Sequence, residues 1–271
     1  DTNNYETVTD VEITIKVDKT TPEYIVPQNL EATYNQSLKD ISLPTASNGI
    51  YSFVDDLTTK VGEVGTNEFE VKFTPNDTNN YREVIMKVQI VVNKANPEYI
   101  VPTNLKATYT NKLYNITLPT SDIGKFEWTN ENLSVGEVGI NKFSVKFIPT
   151  DTKNYNTIEN IEVSVQVEKA NPSYTIPNNL TVEFNKTLKD VILPEGFSWK
   201  NENQSVGDVG TKTFEAIYTP SDTKNYNIVS VNIEINVTKI IPNYDIPQNL
   251  EASYGDKLRS INLPEGFSWN D

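Results

Sequence analysis

The sequence predicts an all-β protein made of tandem β-sandwich repeats in an extended array, and three observations lead to this fold class. The motif Pro-x-Tyr recurs at spacings of 75, 75 and 70 residues, at Pro22, Pro97, Pro172 and Pro242. Apolar and polar residues alternate in two segments of each full repeat, as they do in half-buried strands. Turn residues return about every 8 to 12 residues, and no segment keeps a helical period. Six or seven short strands per repeat favour two packed sheets over one open sheet with an exposed apolar face.

This period divides the 271 residues into three complete repeats between two partial ones. The predicted segments, in chain order, are 1–20, 21–95, 96–170, 171–240 and 241–271. The first segment matches the last strands of a repeat, and the final segment matches its first part. The third repeat has four residues fewer than the second in one connection, between Pro194 and Trp199. A length change that falls mostly in one connection, four of five residues, indicates a surface loop.

Each repeat opens with an extended half that proline residues bracket. In the first repeat the segment PEYIVPQNLEATY starts at Pro22 and the segment LKDISLP starts at Leu38. Proline at a strand end removes an amide donor where the loss costs least. This half ends at a recurrent aromatic residue, which is Phe53 in the first repeat and tryptophan in the others, at Trp128, Trp199 and Trp269. An exposed tryptophan could stack on a sugar ring, but we predict core packing because phenylalanine replaces it in the first repeat.

A glycine turn and a long strand begin the second half of each repeat. The turn VGEVG spans Val61 to Gly65, and its glycines supply positive-φ positions directly before the strand. We therefore assign a structural role to the last glycine of each turn, at Gly65, Gly139 and Gly210. In the second repeat, apolar residues alternate with polar ones over residues 143–147 and again over residues 161–167. These two segments are the clearest predicted strands.

The motif Asp-Thr-x-Asn-Tyr links these two strands. Its aspartate can accept backbone amides one or two residues on, and its tyrosine can cover the end of the sandwich and bond its hydroxyl to backbone. We predict a scaffold turn with a structural tyrosine, at Tyr81, Tyr155 and Tyr226. The alternative is a calcium site that uses the aspartates Asp77, Asp151 and Asp222. Calcium takes six to eight oxygen ligands and each turn offers one carboxylate, so we expect no bound metal and no cofactor.

The second half of each repeat follows the pattern G-x-x-x-F-x-V-x-F-T-P-x-D-T-x-N-Y. This pattern resembles bacterial immunoglobulin-like repeats, which occur in tandem in surface and secreted proteins of Gram-positive bacteria. The resemblance covers the whole chain and implies immunoglobulin-like sandwiches and an extracellular location, at a bacterial cell surface or secreted. It assigns no function, because such domains serve as stalks, adhesins and enzyme appendages. A β-grasp fold, used by other bacterial surface repeats, is the alternative, and it needs a helix that the pattern does not show.

Some Gram-positive surface domains also join a buried lysine to an asparagine through an isopeptide bond. Candidate partners recur here, since a lysine ends each final strand and an asparagine lies in each Asp-Thr-x-Asn-Tyr turn. They are Lys19, Lys94, Lys169 and Lys239, with Asn80, Asn154 and Asn225. We expect solvated ammonium groups instead, because the lysines stand at repeat junctions beside proline.

Composition excludes several classes of function. The chain has 23 basic and 37 acidic residues, a formal net charge of −14, so it lacks the basic surface that nucleic acid requires. No stretch approaches the ~20 apolar residues of a membrane span, so we expect no membrane insertion. With no cysteine and no histidine, disulfides, imidazole bases and thiolate nucleophiles are missing. Asp55 and Asp56 are adjacent carboxylates but occur in one repeat only, so we predict no enzyme activity.

These features predict a non-enzymatic extracellular stalk or spacer that projects a binding or catalytic module from a bacterial surface. The linkers between repeats are short and contain proline, which favours extended chain. Neighbouring repeats of the same chain are therefore its expected partners, in a semi-rigid rod. One alternative is an adhesin whose repeats bind host protein or glycan. Another is a filament-forming subunit, in which residues 1–20 add strands to residues 242–271 of another molecule.

Overall fold

The computed structural model describes residues 3–270 and is nearly all β, which confirms the predicted class of all-β sandwich repeats. The described chain divides between Glu168 and Lys169 into two compact units. Its helices are four three-residue 3-10 helices, Leu38–Asp40, Leu113–Asn115, Leu188–Asp190 and Leu258–Ser260. The helix that the β-grasp alternative requires is therefore not among residues 3–270. None of the described helices has the length and apolar character needed to cross a membrane.

The first unit contains two sheets, one from each of the first two repeats. The strands of the first sheet are β1 (Leu30–Thr33), β2 (Gly49–Phe53), β3 (Gly65–Pro75) and β4 (Val84–Asn93), in the spatial order β1-β4-β3-β2. The strands of the second sheet are β5 (Leu105–Thr108), β6 (Thr120–Ser121), β7 (Gly124–Trp128), β8 (Gly139–Pro149) and β9 (Ile158–Glu168), in the order β5-β9-β8-β7-β6.

The second unit contains one sheet with the topology of the first. Its strands are β10 (Leu180–Glu183), β11 (Phe197–Trp199), β12 (Gly210–Tyr218) and β13 (Val229–Thr238), in the order β10-β13-β12-β11. In every sheet the first strand runs parallel to the last, and the remaining pairs are antiparallel. The three sheets fall inside the predicted ranges 21–95, 96–170 and 171–240, whose bounds stay a prediction.

The core of each repeat lies on one face of its sheet. Alternate residues of the long hairpin strands point to this face, so Val71 and Phe73 of β3 and Ile90 of β4 are fully buried in the first repeat. Most outward residues of the same strands are polar and form exposed ion pairs such as Lys87 with Glu68, although Ile85 and Val91 of β4 are exposed apolar residues. Period-two alternation thus produces a sheet with one apolar and one solvated face.

The layer opposite each sheet is irregular chain. In the first repeat Leu38 of the 3-10 helix and Val61 of the glycine turn close the core from this side. Their segments form an isolated bridge, Ser37 with Lys60, and one further backbone hydrogen bond, from Lys39 to Leu57, but no strand. Each repeat therefore has four or five regular strands and not the six or seven expected, because the segments rich in proline and asparagine cannot sustain a ladder.

The described terminal segments contain no strand. Apolar residues that alternate along the first of them, including Val11, Ile13 and Val17, are exposed. The last segment, after β13, has the 3-10 helix Leu258–Ser260 as its one regular element up to residue 270. The strand addition considered for these segments stays a prediction.

Candidate functional site: the joint between the first and second repeats

The Asp-Thr-x-Asn-Tyr turn of the second repeat is locked by its aspartate. The Oδ1 atom of Asp151 accepts the backbone N–H groups of Lys153 at 3.2 Å and Asn154 at 3.1 Å. Its Oδ2 atom accepts the side-chain amide of Asn154 at 2.9 Å. The backbone N–H of Tyr155 donates to the Asp151 carbonyl at 3.1 Å. A proline-ended strand followed by this bonding pattern reverses the chain between β8 and β9.

The other two turns repeat this geometry. Asp77 accepts the backbone and side-chain N–H groups of Asn80 at 3.1 and 2.8 Å. Asp222 accepts those of Asn225 at 3.1 and 2.9 Å. The hydrogen bond from the asparagine side chain is the main cause that lowers the pKa of each aspartate, including Asp151.

The same bonds bear on the calcium alternative. Both carboxylate oxygens of each turn aspartate already accept N–H donors, so the candidate ligands Asp77, Asp151 and Asp222 serve the turn itself. Over residues 3–270 no three histidine, cysteine, aspartate or glutamate side chains cluster where they could hold a metal ion. Calcium prefers several converging oxygens, and one carboxylate per turn does not supply them.

The linker between the first two repeats is hydrogen-bonded to this turn. The backbone N–H of Ala95 donates to the Asn154 carbonyl at 3.0 Å, and the Asn156 N–H donates to the Ala95 carbonyl at 2.9 Å. The ammonium group of Lys94 donates to the Thr152 carbonyl at 2.6 Å. The side chain of Asn156 donates to Asn96 at 2.8 Å. The linker therefore belongs to the second repeat as much as to the first.

The turn also contacts the body of the first repeat. The Oδ1 atom of Asn154 accepts the Val64 backbone N–H at 3.0 Å, and the Tyr155 hydroxyl accepts the Asn35 side chain at 2.7 Å. The Tyr155 ring meets Tyr34 edge to face, with ring centroids 5.3 Å apart. Asn154 is only 4% exposed. We call this set of contacts, together with the linker bonds, the joint.

An ion pair at the rim completes the joint. Lys153 of the turn pairs with Glu63 of the first repeat, and both side chains remain exposed. The hydrogen bond with Glu63 and its negative charge raise the pKa of Lys153. Exposed ion pairs are screened by water and salt, so this pair orients the repeats more than it stabilises them.

Local backbone geometry presents the first repeat to the turn. Asn35 has a positive φ of 72°, which asparagine tolerates better than most residues and which directs its side chain towards Tyr155. Val64 stands between Gly62 and Gly65, with φ values of 88° and 134°. The side chain of Asn67 braces this glycine turn by donating to the Val61 and Glu63 carbonyls, each at 2.8 Å. The Val64 amide is thereby held at the surface, facing Asn154.

Several predicted structural residues lie outside the joint. Gly65, Gly139 and Gly210 have φ values of 134°, 137° and 122°. Trp128, Trp199 and Trp269 are half-buried, and their indole N–H groups donate to the carbonyls of Ile116, Val191 and Ile261 at 3.3, 3.0 and 3.2 Å. Among the turn tyrosines, Tyr81 is exposed and Tyr226 is half-buried.

One detail differs from the expectations drawn from sequence. The Tyr155 hydroxyl accepts a hydrogen bond from a side chain of the preceding repeat, whereas a backbone partner was expected. The junction lysines Lys94 and Lys169 are exposed, and their ammonium groups also donate to the turn carbonyls of Thr152 and Thr223, each at 2.6 Å. Pattern reasoning missed Tyr34, Asn35 and Asn67 altogether, although the repeated Asn at the glycine turn of the first two repeats was a visible signal.

No protein family and no curated protein sequence matches the chain. Among solved structures, three Ig domains of titin cover 80% of this chain and 100% of their own, with 10% identity and a TM-score of 0.31. Drosophila N-cadherin EC1-4 covers 77% of this chain and 73% of its own, with 12% identity and a TM-score of 0.23. Mouse cadherin-23 EC22-24 covers 81% of this chain and 98% of its own, with 13% identity and a TM-score of 0.25. These neighbours are immunoglobulin-like and cadherin-type domains. The similarity is too low for their ligands or functions to be assigned to this chain.

Proposed function

We propose that the chain is a non-enzymatic extracellular spacer, whose tandem repeats hold a binding or catalytic module away from a bacterial surface. The observation that carries this proposal is the joint. A spacer must resist bending between its repeats, and a flexible linker of glycine and serine would leave them free to swing. Here the linker and the body of the first repeat both bond to one turn of the second repeat.

The joint restrains the two repeats at several separate points. The linker backbone bonds to the turn through Ala95, the glycine turn bonds through Val64, and the end of β1 bonds through Asn35. Rotation about any one of these bonds would break the others. Such nearest-neighbour coupling is the behaviour expected of one-dimensional repeat arrays.

The position of the acidic pair supports a structural role over a catalytic one. A catalytic centre needs titratable groups that converge in a cleft. Asp55 and Asp56 lie on an exposed turn after β2, where Asp56 accepts the backbone N–H and hydroxyl of Thr58 at 2.7 and 2.6 Å. These hydrogen bonds lower the pKa of Asp56 and mark it as a turn acceptor.

Small-angle X-ray scattering on the full chain tests the spacer proposal. Three repeats of about 35–40 Å each should extend on the order of 100 Å, given strands of about ten residues. The radius of gyration should then lie well above the ~18 Å of a compact domain of this length. A control variant with Gly-Ser-Gly inserted between Asn93 and Lys94 should show a broader distribution of dimensions. A compact profile for the unmodified chain would contradict the proposal.

A second candidate function is adhesion to a host protein or glycan, and one difference between the repeats favours it. In the first repeat the Tyr51 hydroxyl bonds to the backbone N–H and carbonyl of Ile25 at 3.1 and 2.6 Å. The Asn48 side chain donates to the Glu23 carbonyl at 2.7 Å. These polar clamps tie the proline-bracketed segment to the sheet.

In the second repeat both clamps are replaced by apolar residues. Phe126 stands at the register position of Tyr51, and Ile123 at that of Asn48. A groove of about 370 Å³ lies there, lined by Tyr99, Ile100, Ile123, Phe126 and others, and Ile100 is 90% exposed. The first repeat has a larger groove at the same place, about 910 Å³, but the polar clamp residues Asn48 and Tyr51 line it, so the difference between the repeats is the polarity of the lining. Exposed apolar grooves of this kind suit a ligand.

The double substitution Ile123→Asn with Phe126→Tyr tests adhesion by restoring the clamps of the first repeat. If the groove binds a ligand, binding of the chain to arrayed host matrix proteins or glycans should fall at least ~10-fold while the fold is retained. The matched control is Ile50→Asn, at an exposed position of β2 in the first repeat. Equal binding by both variants and the unmodified chain would refute a role for the groove.

A further inference from the structure

We propose that the end of the third repeat is a docking surface for the Asp-Thr-Lys-Asn-Tyr turn of a further copy of this repeat. The surface, here called the end face, comprises Phe184, Asn185 and Val209 with the following linker, residues 239–243. The proposal rests on the spacer function and extends it, because it names the partner that this face recognises.

The end face has the geometry that the joint uses in the first repeat. Phe184 and Asn185 follow β10 as Tyr34 and Asn35 follow β1, and Val209 precedes β12 as Val64 precedes β3. The φ of Asn185 is 67°, and that of Asn35 is 72°. The backbone therefore has the same left-handed conformation at the two asparagines. The glycines around Val209, Gly207 and Gly210, also have positive φ values, 74° and 122°.

The donors that bind the turn in the joint have no partner on the end face. In the joint they are the amides of Val64 and Ala95 and the ammonium group of Lys94. Their counterparts are the amides of Val209 and Ile240 and the ammonium of Lys239. Within residues 3–270 these three groups make no hydrogen bond to protein, and Val209 is 44% exposed whereas Val64 is half-buried. Phe184, Asn185, Val209 and the linker surround a cleft of about 570 Å³.

An Asp-Thr-Lys-Asn-Tyr turn supplies an acceptor for each of these donors. By analogy with the joint, its asparagine Oδ1 would accept the Val209 amide, and its asparagine and threonine carbonyls would accept Ile240 and Lys239. Its tyrosine hydroxyl would accept the Asn185 side chain, and the tyrosine ring would meet Phe184. Its lysine would lie near Asp208, the counterpart of Glu63, which pairs with Lys153 in the joint. A docked partner would bury the Val209 and Ile240 amides, and burial without a hydrogen-bond acceptor is unfavourable. The end face should therefore bind this turn in preference to an apolar peptide that offers no acceptors.

Amide hydrogen exchange on an extended chain tests the proposal. A copy of residues Tyr99–Ser173 is inserted between Asn243 and Tyr244, which preserves the native linker and adds one repeat with the turn seen in the joint. Exchange of the Val209 and Ile240 amides, followed by mass spectrometry on peptides unique to the third repeat, should slow at least ~10-fold relative to the native chain. The native and inserted copies of the second repeat give identical β9 peptides. If these peptides exchange slowly in a single phase, both copies are folded.

Substitution of Asn154→Ala in the inserted copy alone is the matched variant. It should return the Val209 exchange rate to that of the native chain while β9 stays protected. Unchanged Val209 exchange beside a folded insert would overturn the proposal, as would slowing that survives Asn154→Ala. Should β9 exchange in two phases, the insert is replaced by a copy of Tyr174–Asn243. Peptides that contain Val209 then come from both copies, so about half of their signal should exchange slowly, and Asn225→Ala in the inserted copy should abolish this slow half.

This measurement separates docking from projection. Slowed Val209 exchange together with a compact scattering profile would retain the docking surface and refute the spacer. An elongated profile with unchanged Val209 exchange would refute the docking surface and retain the spacer.

Discussion

Asn154 makes the most consequential single contact of the joint. Its amide nitrogen closes the turn on Asp151, while its amide oxygen accepts the Val64 N–H from the neighbouring repeat. Because the side chain is almost fully buried, neither partner can easily exchange it for water. Asparagine suits this position because it is both donor and acceptor, whereas aspartate would offer acceptors to both sides.

We predict that Asn154→Ala weakens the joint by about 1–3 kcal/mol, the cost of leaving buried partners unsatisfied. The Val64 amide should exchange ~5- to 100-fold faster, which hydrogen exchange can measure. Asn80→Ala is the control, because Asn80 makes the same bond to its own aspartate but is exposed. Equal effects of the two variants on Val64 would show that the bond between the repeats contributes nothing.

A second prediction at this scale concerns pH. Hydrogen bonds lower the pKa of Asp151 in the folded protein below the unfolded value of about 3.9. The turn therefore stabilises the fold above that value, and this contribution is lost as pH falls through the folded pKa. Thermal melting from pH 7 to pH 2 should show an acid limb that Asp151→Asn makes shallower. Asp55→Asn, at an exposed position, should leave the limb intact, and an unaltered limb in Asp151→Asn would contradict the assignment.

Among the structural elements, the 3-10 helix and the strand that carries the aromatic residue are joined by one side-chain bond. In each complete repeat with tryptophan, the indole N–H donates to the carbonyl of the residue directly after the 3-10 helix. The ring also packs edge to face on the central hairpin, as Trp199 does on Phe214 with centroids 6.3 Å apart. The tryptophan thus connects the irregular layer to the sheet. This contact compensates in part for the hydrogen bonds that a second sheet would supply.

We expect Trp199→Phe to lower the free energy of unfolding of the third repeat by about 0.5–1.5 kcal/mol, the net value of one hydrogen bond. Phenylalanine retains the aromatic packing, as Phe53 does in the first repeat. Urea unfolding followed by circular dichroism measures the change. Trp269→Phe removes the same bond in a segment without strands, so it should leave the transition in place. If both variants lost the same free energy of unfolding, the loss could not be due to the bond between the 3-10 helix segment and the sheet.

For the whole molecule, stability should depend on coupling between repeats. A unit of about 70 residues buries only about 60% of its unfolded surface and is marginal alone. The joint adds buried contacts to the ends of the first two repeats. The net charge of −14 acts in the opposite sense within each molecule, since like charges repel, but it also keeps separate molecules apart.

Insertion of Gly-Ser-Gly between Asn93 and Lys94 should uncouple the first two repeats. The Val64 amide should lose its protection, and the first repeat should unfold at a lower urea concentration than in the native chain, because the linker no longer presents the turn. The same tripeptide between Lys16 and Val17, outside the strands, is the control and should change neither quantity. Coincident urea midpoints for native chain and linker variant would show that the repeats are independent.

Local pattern alone was sufficient for the repeat period, the two long strands, the glycine turns and the role of aspartate in the Asp-Thr-x-Asn-Tyr turn. All of these depend on residues within a few positions of one another, such as Asp151 with Asn154. The number of strands was overestimated, because alternation and turn residues mark extended chain whether or not a partner strand completes the ladder. Only the tertiary structure decided that Tyr155 and Asn154 serve the preceding repeat. Their partners Asn35 and Val64 lie 120 and 90 residues away, and no short-range pattern encodes which faces of two repeats will meet.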